Sequence, residues 1–339
     1  MLETTDPSPA HWDQFVREQP RAHVLQRAPW GQLKEAFGWR VIRIGLADGD
    51  TLAAGAQILL RPLPLNMGTM AYMPMGPYAT SDEHLEQLWK AIDRRLKDEG
   101  TAFLKWEPGI FQGGSPDIER WGFRESPQTI QPPNTILIDI SEDEDDILTR
   151  MSQSTRRKVR VSQRKGIRYY EGTRDDVDVF CSMMETTGER NEFGVHEADY
   201  YRMAYDLFVA DGSAKLILAE HEGDPLAGIM VFAQGETAWY LYGASASAKR
   251  NLMASYGVQW EAIQWAKQRG VNYYDMWGIP DEDSATLEDE FQERTDGLWG
   301  VYGFKRGWGG EIVRSVGAWD KIYNPLIYTA YWTAAQLRD

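Results

Sequence analysis

The same order of segments occurs twice in this chain, and that duplication constrains its fold more than any single motif. The first copy reads "TLAAGAQILLRPL", "MAYMPMGPYAT", "DEHLEQLWKAIDRRLKDEG" and "TAFLKWEP"; the second reads "PLAGIMVFAQG", "AWYLYGASAS", "LMASYGVQWEAIQWAKQRG" and "VNYYDMWGI". In each copy two β-rich runs precede a segment with helical spacing, and a further β-rich run follows it. Both helical segments carry W-x-x-I, as Trp89/Ile92 and Trp260/Ile263, and both close on a glycine, Gly100 and Gly270. Glycine takes the backbone conformation that ends a helix more easily than any other residue. The copies lie roughly 170 residues apart. A helix that returns the chain to a further strand predicts an α/β (α+β) fold with two mixed β-sheets flanked by helices.

The totals agree with two domains. The chain has 339 residues, 42% of them hydrophobic, with 14 tryptophans, enough to build two cores. A single cysteine, Cys181, excludes a disulfide framework, and five scattered histidines without H-x-x-x-H spacing give no metal signature. The start, "MLETTDPSPAHWDQF", has neither a basic nor an apolar signal region, and no apolar run reaches the length of a membrane span. The net charge of −15 argues against a general nucleic-acid binder but allows a local basic patch. Between the copies, "NTILIDI" alternates like a strand. "SEDEDDILTRM" reads as a helix start, with a serine cap and an acidic first turn. The domain boundary is therefore expected near residue 145, and the closing "AWDKIYNPLIYTAYWTAAQLRD" is expected to be a helix that packs back on one of the domains.

Five stretches carry chemistry. "STRRKVRVSQRKGIRYY" lies in a span, Arg150 to Arg168, that holds eight basic residues and no acidic one. On a helix this stripe fits a phosphate backbone, or equally a solvated face neutralised by the preceding "SEDEDD". In "QRAPWGQLKEAFGW", Trp30, Leu33 and Phe37 mark a buried helix face, and Lys34 beside it is either solvated or at a cleft edge. "TTGERNEFGVHEADYYRM" places Arg190, Asn191, His196, Tyr200 and Tyr201 in a loop leading to a helix, with His196 and Tyr200 one turn apart if helical. Tyr256 stands at the start of the second repeat helix, where the helix dipole favours anions. In "YGFKRGWGGE", Lys305 is either part of a basic turn or a desolvated cation aimed at a developing oxyanion. There is no nucleophile elbow, P-loop or G-x-G-x-x-G, and no plain covalent nucleophile.

The ordered set "LQRAPWGQLKEAFGW", "YMPMGPY", "TRRKVR", "YLYGAS", "QWEAIQWA", "YYDMWGI" and "FKRGWGG" resembles the Fem family of aminoacyltransferases, the non-ribosomal peptidyltransferases of peptidoglycan cross-bridges. The resemblance implies two tandem GNAT-like acyltransferase domains, residues 1–145 with 317–339 and residues 146–316, with the C-terminal helix on the first. The stretch 171–225 lacks sustained heptads, so the chain resembles the compact members without a coiled-coil arm. The implied reaction is transfer of an amino acid (glycine, serine or alanine class) from aminoacyl-tRNA to the third stem-peptide residue of lipid II or UDP-MurNAc-pentapeptide. Such aminolysis needs no covalent intermediate, cofactor or metal. By the resemblance, Lys305 would bind the oxyanion or the tRNA terminus with Phe304 shaping its pocket. The glycines beside it would let the tRNA end approach, and Arg306 would point outward. Lys34 and Tyr256 would hold the acceptor's phosphates. His196 stands where the family often has arginine, with Tyr200 following, and a neutral imidazole holds phosphate less firmly. Glu107 in "LKWEPG" would face the cleft and orient the attacking amine. The implied setting is the cytoplasm, or the inner face of the membrane without stable insertion. Two other readings stay open: an N-acyltransferase using acyl-CoA, whose usual pyrophosphate signature is not seen, and a non-catalytic precursor- or tRNA-binding protein.

Overall fold

The computed structural model describes residues 2–113, 117–191 and 194–336. They fall into two compact units, one holding the residues up to Gln131 and those from Arg314 on, the other running Pro132–Val313. The first begins with β1 (Glu3–Thr5), α1 (Pro9–Arg17) and α2 (Ala28–Ala36), followed by β2 (Arg40–Asp48), β3 (Thr51–Pro62), β4 (Thr69–Pro74) and β5 (Tyr78–Ala79). Helix α3 (Asp82–Asp98) leads to β6 (Thr101–Glu107), and β7 (Arg124–Glu125) precedes the second unit.

The second unit contains β8 (Asn134–Asp139), α4 (Glu144–Arg150), α5 (Gln153–Arg164), β9 (Arg168–Glu171), α6 (Val177–Asn191) and α7 (Ala198–Phe208). It continues with β10 (Ala214–His221), β11 (Asp224–Gln234), β12 (Thr237–Ser245), α8 (Ala254–Gln268) and β13 (Tyr273–Ile279), then α9 (Ser284–Glu290), α10 (Trp299–Lys305) and β14 (Glu311–Arg314). The chain returns to the first unit with β15 (Trp319–Ile322) and α11 (Pro325–Gln336).

Both sheets are mixed. The first runs β1-β2-β3-β4-β6-β15-β7, with β5 beside β3, and the second runs β14-β8-β13-β12-β11-β10-β9. The sequence repeat has one meaning in both. Strands β3 and β4 pair antiparallel, α3 crosses over, and β6 joins β4 in parallel. In the same way β11 and β12 pair antiparallel, α8 crosses over, and β13 joins β12 in parallel. Parallel neighbours need such a crossover, whereas antiparallel ones need only a turn. The W-x-x-I residues face inward: Trp89 is 2% and Ile92 0% exposed, Trp260 2% and Ile263 0%. Gly100 and Gly270 take φ of 63° and 77° where the helices end, the left-handed backbone that side chains resist.

Three expectations are corrected by pairing that the local pattern does not encode. The boundary falls at Gln131/Pro132 rather than near 145, because "NTILIDI" forms β8 and pairs antiparallel with β13 of the second unit. Asp143, not Ser141, caps the following helix, its carboxylate accepting the Asp146 N–H at 3.0 Å, while the Ser141 hydroxyl donates to Asp139 at 2.6 Å. The C-terminal segment begins as a strand: β15 pairs with β6, and only from Pro325 does it turn helical. Its residues 337–339 lie outside the described ones. On α11, Tyr328 sits against Phe103, ring centroids 5.1 Å apart, and donates to Asp320 at 2.8 Å. Asp320 in turn lies 3.1 Å from the Lys105 ammonium of β6, a fully buried pair within the first unit.

Trp89 and Trp260 fill equivalent places, so each substitution by alanine is expected to cost about 3–5 kcal/mol. Urea unfolding of Trp89→Ala and Trp260→Ala checks this, and losses near zero for either would contradict the core assignment.

Candidate functional site

The stretch that raised the most chemistry is helical. Lys305 ends α10, Arg306–Trp308 continue as a tight 3₁₀ turn, and Gly309 breaks it at φ 82°. Its glycines serve packing inside the unit, which corrects the expectation that they admit a substrate. A Cβ on Gly307 would overlap the Thr155 hydroxyl, one on Gly309 would press on the Arg150 backbone, and one on Gly310 on the β8 backbone. The Gly307 carbonyl accepts the Ser152 N–H at 2.9 Å, so this turn is tied to the cap of α5. Arg306 is exposed and paired with Glu288 of α9.

Lys305 itself points inward and is 6% exposed. The reason it can be buried lies in β13. Pairing with β8 shifts between Asp275 and Gly278, and inside the bulge Trp277 adopts φ 61°. A left-handed non-glycine residue costs about 1–3 kcal/mol and persists only where its surroundings fix it. Here the Asp275 carboxylate accepts the Trp277 N–H at 2.7 Å and also receives the Thr135 hydroxyl. The bulge turns two carbonyls toward the lysine, whose ammonium donates to Gly278 O at 2.7 Å and Trp277 O at 3.4 Å. The Tyr240 ring lies 5.5 Å away as a third electron-rich surface.

Burial of this group has electrostatic consequences. Loss of solvent lowers the Lys305 pKa to about 7, against a smaller opposing pull from Asp275. Burial likewise raises Asp275 to about 6, opposed by the Thr135 and Trp277 hydrogen bonds and the Lys305 charge. Two buried groups of opposite sign thus titrate near neutrality, as at sites built for proton or charge handling.

Around Lys305 stand aromatic rings. Phe304 packs edge-on against Tyr256 at 4.9 Å and reaches Tyr240 at 6.4 Å, while Tyr256 stacks with Trp308 at 6.0 Å. Tyr256 lies in the first turn of α8, and its hydroxyl accepts from Lys158 of α5 at 3.0 Å. Lys305, Phe304 and Tyr256 therefore form one cluster in the second unit. His196 and Tyr200 form another. His196 precedes α7 rather than riding on it, and its ring stacks flat on Tyr200 at 3.8 Å. The Tyr242 hydroxyl donates to that of Tyr200 at 3.4 Å, and Tyr201 supports the His196 N–H at 3.2 Å. Arg190 and Asn191 are helical, at the end of α6, where the sequence pointed to a loop. A shift of register in β12 beside Met230/Val231 separates the two clusters: Tyr240 pairs with Val231 and Tyr242 with Met230, two residues against one. In a regular strand residues two apart share a face; the extra residue, Leu241, sends them to opposite faces.

Lys34 and Glu107 belong to the first unit. Lys34, on α2, lies 4.6 Å from the Trp30 ring centroid, and burial lowers its pKa to about 8. Glu107, 4% exposed, accepts from the Tyr72 hydroxyl, from Ile130 N–H at 2.5 Å and from Gln131 N–H at 3.0 Å. Burial raises its pKa despite those bonds. Asp275, Tyr240 and Lys158 were missed by motif reading. Asp275 had a signal, a lone carboxylate inside the apolar strand "YYDMWGI"; Lys158 was hidden among equivalent cations.

The two mixed sheets share one strand–strand–helix–strand unit, and the second holds a buried lysine whose pKa is depressed. The FemAB family model matches residues 8–113, 121–224 and 218–336, and the chain belongs to the FemAB family. It is 24% identical to the lipid II:glycine glycyltransferase of Staphylococcus epidermidis, over 93% of this chain and 92% of that one. That alignment spans 393 positions, more than the 339 residues here, so the relative carries insertions that this compact chain lacks. The fold matches a crystal structure of FemX at a TM-score of 0.86, with 22% identity over 97% of this chain and 99% of that one. A tandem GNAT protein from the clavulanic acid biosynthesis pathway matches at 0.54, with 10% identity over 96% of this chain and 99% of that one. The chain is a transferase with two mixed, GNAT-like sheets. Among the described residues no helix is long and apolar enough to cross a membrane.

The two buried groups make stability depend on pH with opposite signs. Below about 7 Lys305 is charged in both states and its burial cost is complete; between about 7 and 10.5 the unfolded chain binds the extra proton, so stability rises with pH. For Asp275 the folded form binds the extra proton between 3.8 and about 6, so stability falls as pH rises through that window. Denaturant unfolding across pH is expected to lose its alkaline rise in Lys305→Met and its acid-side fall in Asp275→Asn. Curves parallel to wild type would contradict the burial of the charges.

Proposed function

We propose that this enzyme transfers an amino acid from aminoacyl-tRNA to the side-chain amine of the third stem-peptide residue of a peptidoglycan precursor, extending the interpeptide bridge. Glycine leads the glycine, serine and alanine class, because the relative over nearly the whole chain is named a glycyltransferase. Lipid II is the preferred acceptor on the same ground, with UDP-MurNAc-pentapeptide as its soluble counterpart. The observation that carries the reading is Lys305: a cation held in a dry, aromatic-lined place by two main-chain carbonyls.

The acceptor amine attacks the ester carbonyl, forming a C–N bond and a tetrahedral oxyanion. The protonated Lys305 ammonium uses two of its three N–H donors on carbonyls and directs the third at that oxygen. Collapse breaks the bond to the ribose oxygen, which leaves with a proton; the amine loses one on the way. The proximity of the Lys305 pKa to neutrality lets the same group part with a proton without a large penalty. Phe304 and Tyr240 keep water away and so strengthen the lysine's field.

The remaining residues are assigned to binding. Lys34 in the first unit and, separately, Tyr256 in the second are assigned to phosphate binding, Tyr256 through a hydroxyl whose own proton stays available because it accepts from Lys158. His196 and Tyr200 present a stacked, hydrogen-bonding surface to the acceptor. Glu107 acts by holding the 130–131 backbone, since its carboxylate is filled by three donors.

Wild-type protein with glycyl-tRNA and a lysine-containing lipid II is expected to yield glycyl-lipid II. Failure with every aminoacyl-tRNA and both precursors would overturn the function. Lys305→Met is expected to lower kcat by about 10²–10³-fold, the usual effect of losing one oxyanion donor, with little change in KM for the precursor. Turnover near wild type would remove Lys305 from the chemistry.

A further inference from the structure

Helix α5 carries a charge arrangement that the site above does not use. Arg157, Arg160 and Arg164 stand at i, i+3 and i+7, on one face, and Lys165 follows; all four are exposed. Among the described residues none of the four side chains has an ion pair or hydrogen bond, although Arg40, Arg95, Arg168, Arg174, Arg202, Arg294 and Arg306 all pair with carboxylates. The acidic run just before α5 does not neutralise it. Asp143 caps α4, Glu144 accepts from Gln264 at 2.8 Å, and α5 begins as a separate helix on its own Ser152 cap. In a chain of net charge −15, four unpaired cations on one helix retain mutual repulsion that a carboxylate would remove.

The same face lines a groove of 710 Å³, formed by Gln153, Ser154, Arg156, Arg157, Arg160, Val161 and Arg164. With a rise of 1.5 Å per residue, Arg157 and Arg164 stand about 10 Å apart along the axis, the length of about three nucleotide steps along one strand. A bilayer contact would require aromatic or large aliphatic anchors beside the charges; among the described residues the only apolar one lining the groove is Val161. The inner side of the helix is joined to the reactive lysine. Lys158 holds Tyr256, and Ser152 and Thr155 seat the Gly307 turn just after Lys305.

We propose that the α5 groove is the docking track for the sugar–phosphate backbone of the donor RNA, with Arg157, Arg160 and Arg164 each neutralising a phosphate. The inference rests on the reading that an aminoacyl-tRNA is the donor. It adds where that RNA lies and makes affinity, rather than the chemical step, the property these arginines control. Backbone contacts of this kind read charge and not sequence, so different tRNAs bind alike.

The test uses full-length protein and a fluorescent, uncharged RNA hairpin that reproduces a tRNA acceptor stem with its single-stranded end. Anisotropy titrations over a range of salt compare wild type with the triple variants Arg157/160/164→Gln and Arg157/160/164→Lys. The glutamine variant is expected to weaken binding by about 10²-fold or more at low salt and to lower the slope of log K against log salt by about two to three, while the lysine variant keeps most of both. Circular dichroism and urea midpoints near wild type confirm that α5 remains folded. Equal RNA affinity and slope in all three proteins would overturn the track. So would a glutamine variant whose loss appears only with vesicles of anionic phospholipid, which would mark a membrane contact. Because binding is read without turnover, a failed track leaves the transfer reaction of the wild-type protein to be tested independently by its own assay.

Discussion

An ammonium buried on two main-chain carbonyls is the interaction on which the second unit turns. Gly278 O and Trp277 O can face Lys305 only because β13 breaks register with β8 there. That break requires Trp277 in the left-handed region, and Asp275 fixes it by accepting its N–H. The lysine reaches the carbonyls only because α10 and its 3₁₀ turn are seated on α5 through Ser152, Thr155 and Gly307. Strand, loop and helix are each strained or crowded for the sake of one cation. A neutral residue at 305 would relieve the cost of desolvation, so stability alone does not account for the arrangement.

The duplicated unit gives an internal comparison. Counting from the glycines that end the two crossover helices, Lys105 and Asp275 occupy the same place, five residues beyond Gly100 and Gly270. Each puts a buried charge in the middle of a strand that pairs in parallel. In the first unit the charge is closed off: Lys105 meets Asp320 at 3.1 Å, with Ser126 and Gln128 completing its partners. There it fastens the returning C-terminal strand. In the second unit the opposite charge, Lys305, is held on carbonyls instead of in a contact pair with Asp275. One copy of the position holds the fold together and the other leaves a cation with a donor to spare. The same place in the repeat carries a closed ion pair in one unit and, in the other, a carboxylate that braces the bulge facing Lys305.

The repeat, the two inward W-x-x-I pairs and the helix-ending glycines were legible because they rest on local periodicity and backbone permissiveness. The boundary was not, since whether "NTILIDI" joins one sheet or the other is decided by β13, far along the chain. The same holds for β15, whose apolar residues fit a helix as well as an edge partner of β6. At the candidate site, Lys305, Phe304 and Tyr256 come together as a cluster, but the tight glycines read as openness when they are crowding. A glycine run reports close approach without naming what approaches. The separation of Tyr240 from Tyr242 was invisible for a related reason: one extra residue in β12 reverses the faces without leaving a mark in the sequence.

Helix α5 shows how one basic run can carry two kinds of work. Its buried side supplies Thr155, Val159 and Ser162 and, through Lys158, a single cation aimed at Tyr256. Its outer side keeps arginines, whose planar, weakly hydrated heads suit phosphate, and no carboxylate answers them among the described residues. Against an overall charge of −15, this stripe is a local reversal of sign. The helix that carries these arginines is also the one that seats the turn beside Lys305, so the exposed stripe and the buried lysine share one rigid element rather than a flexible loop.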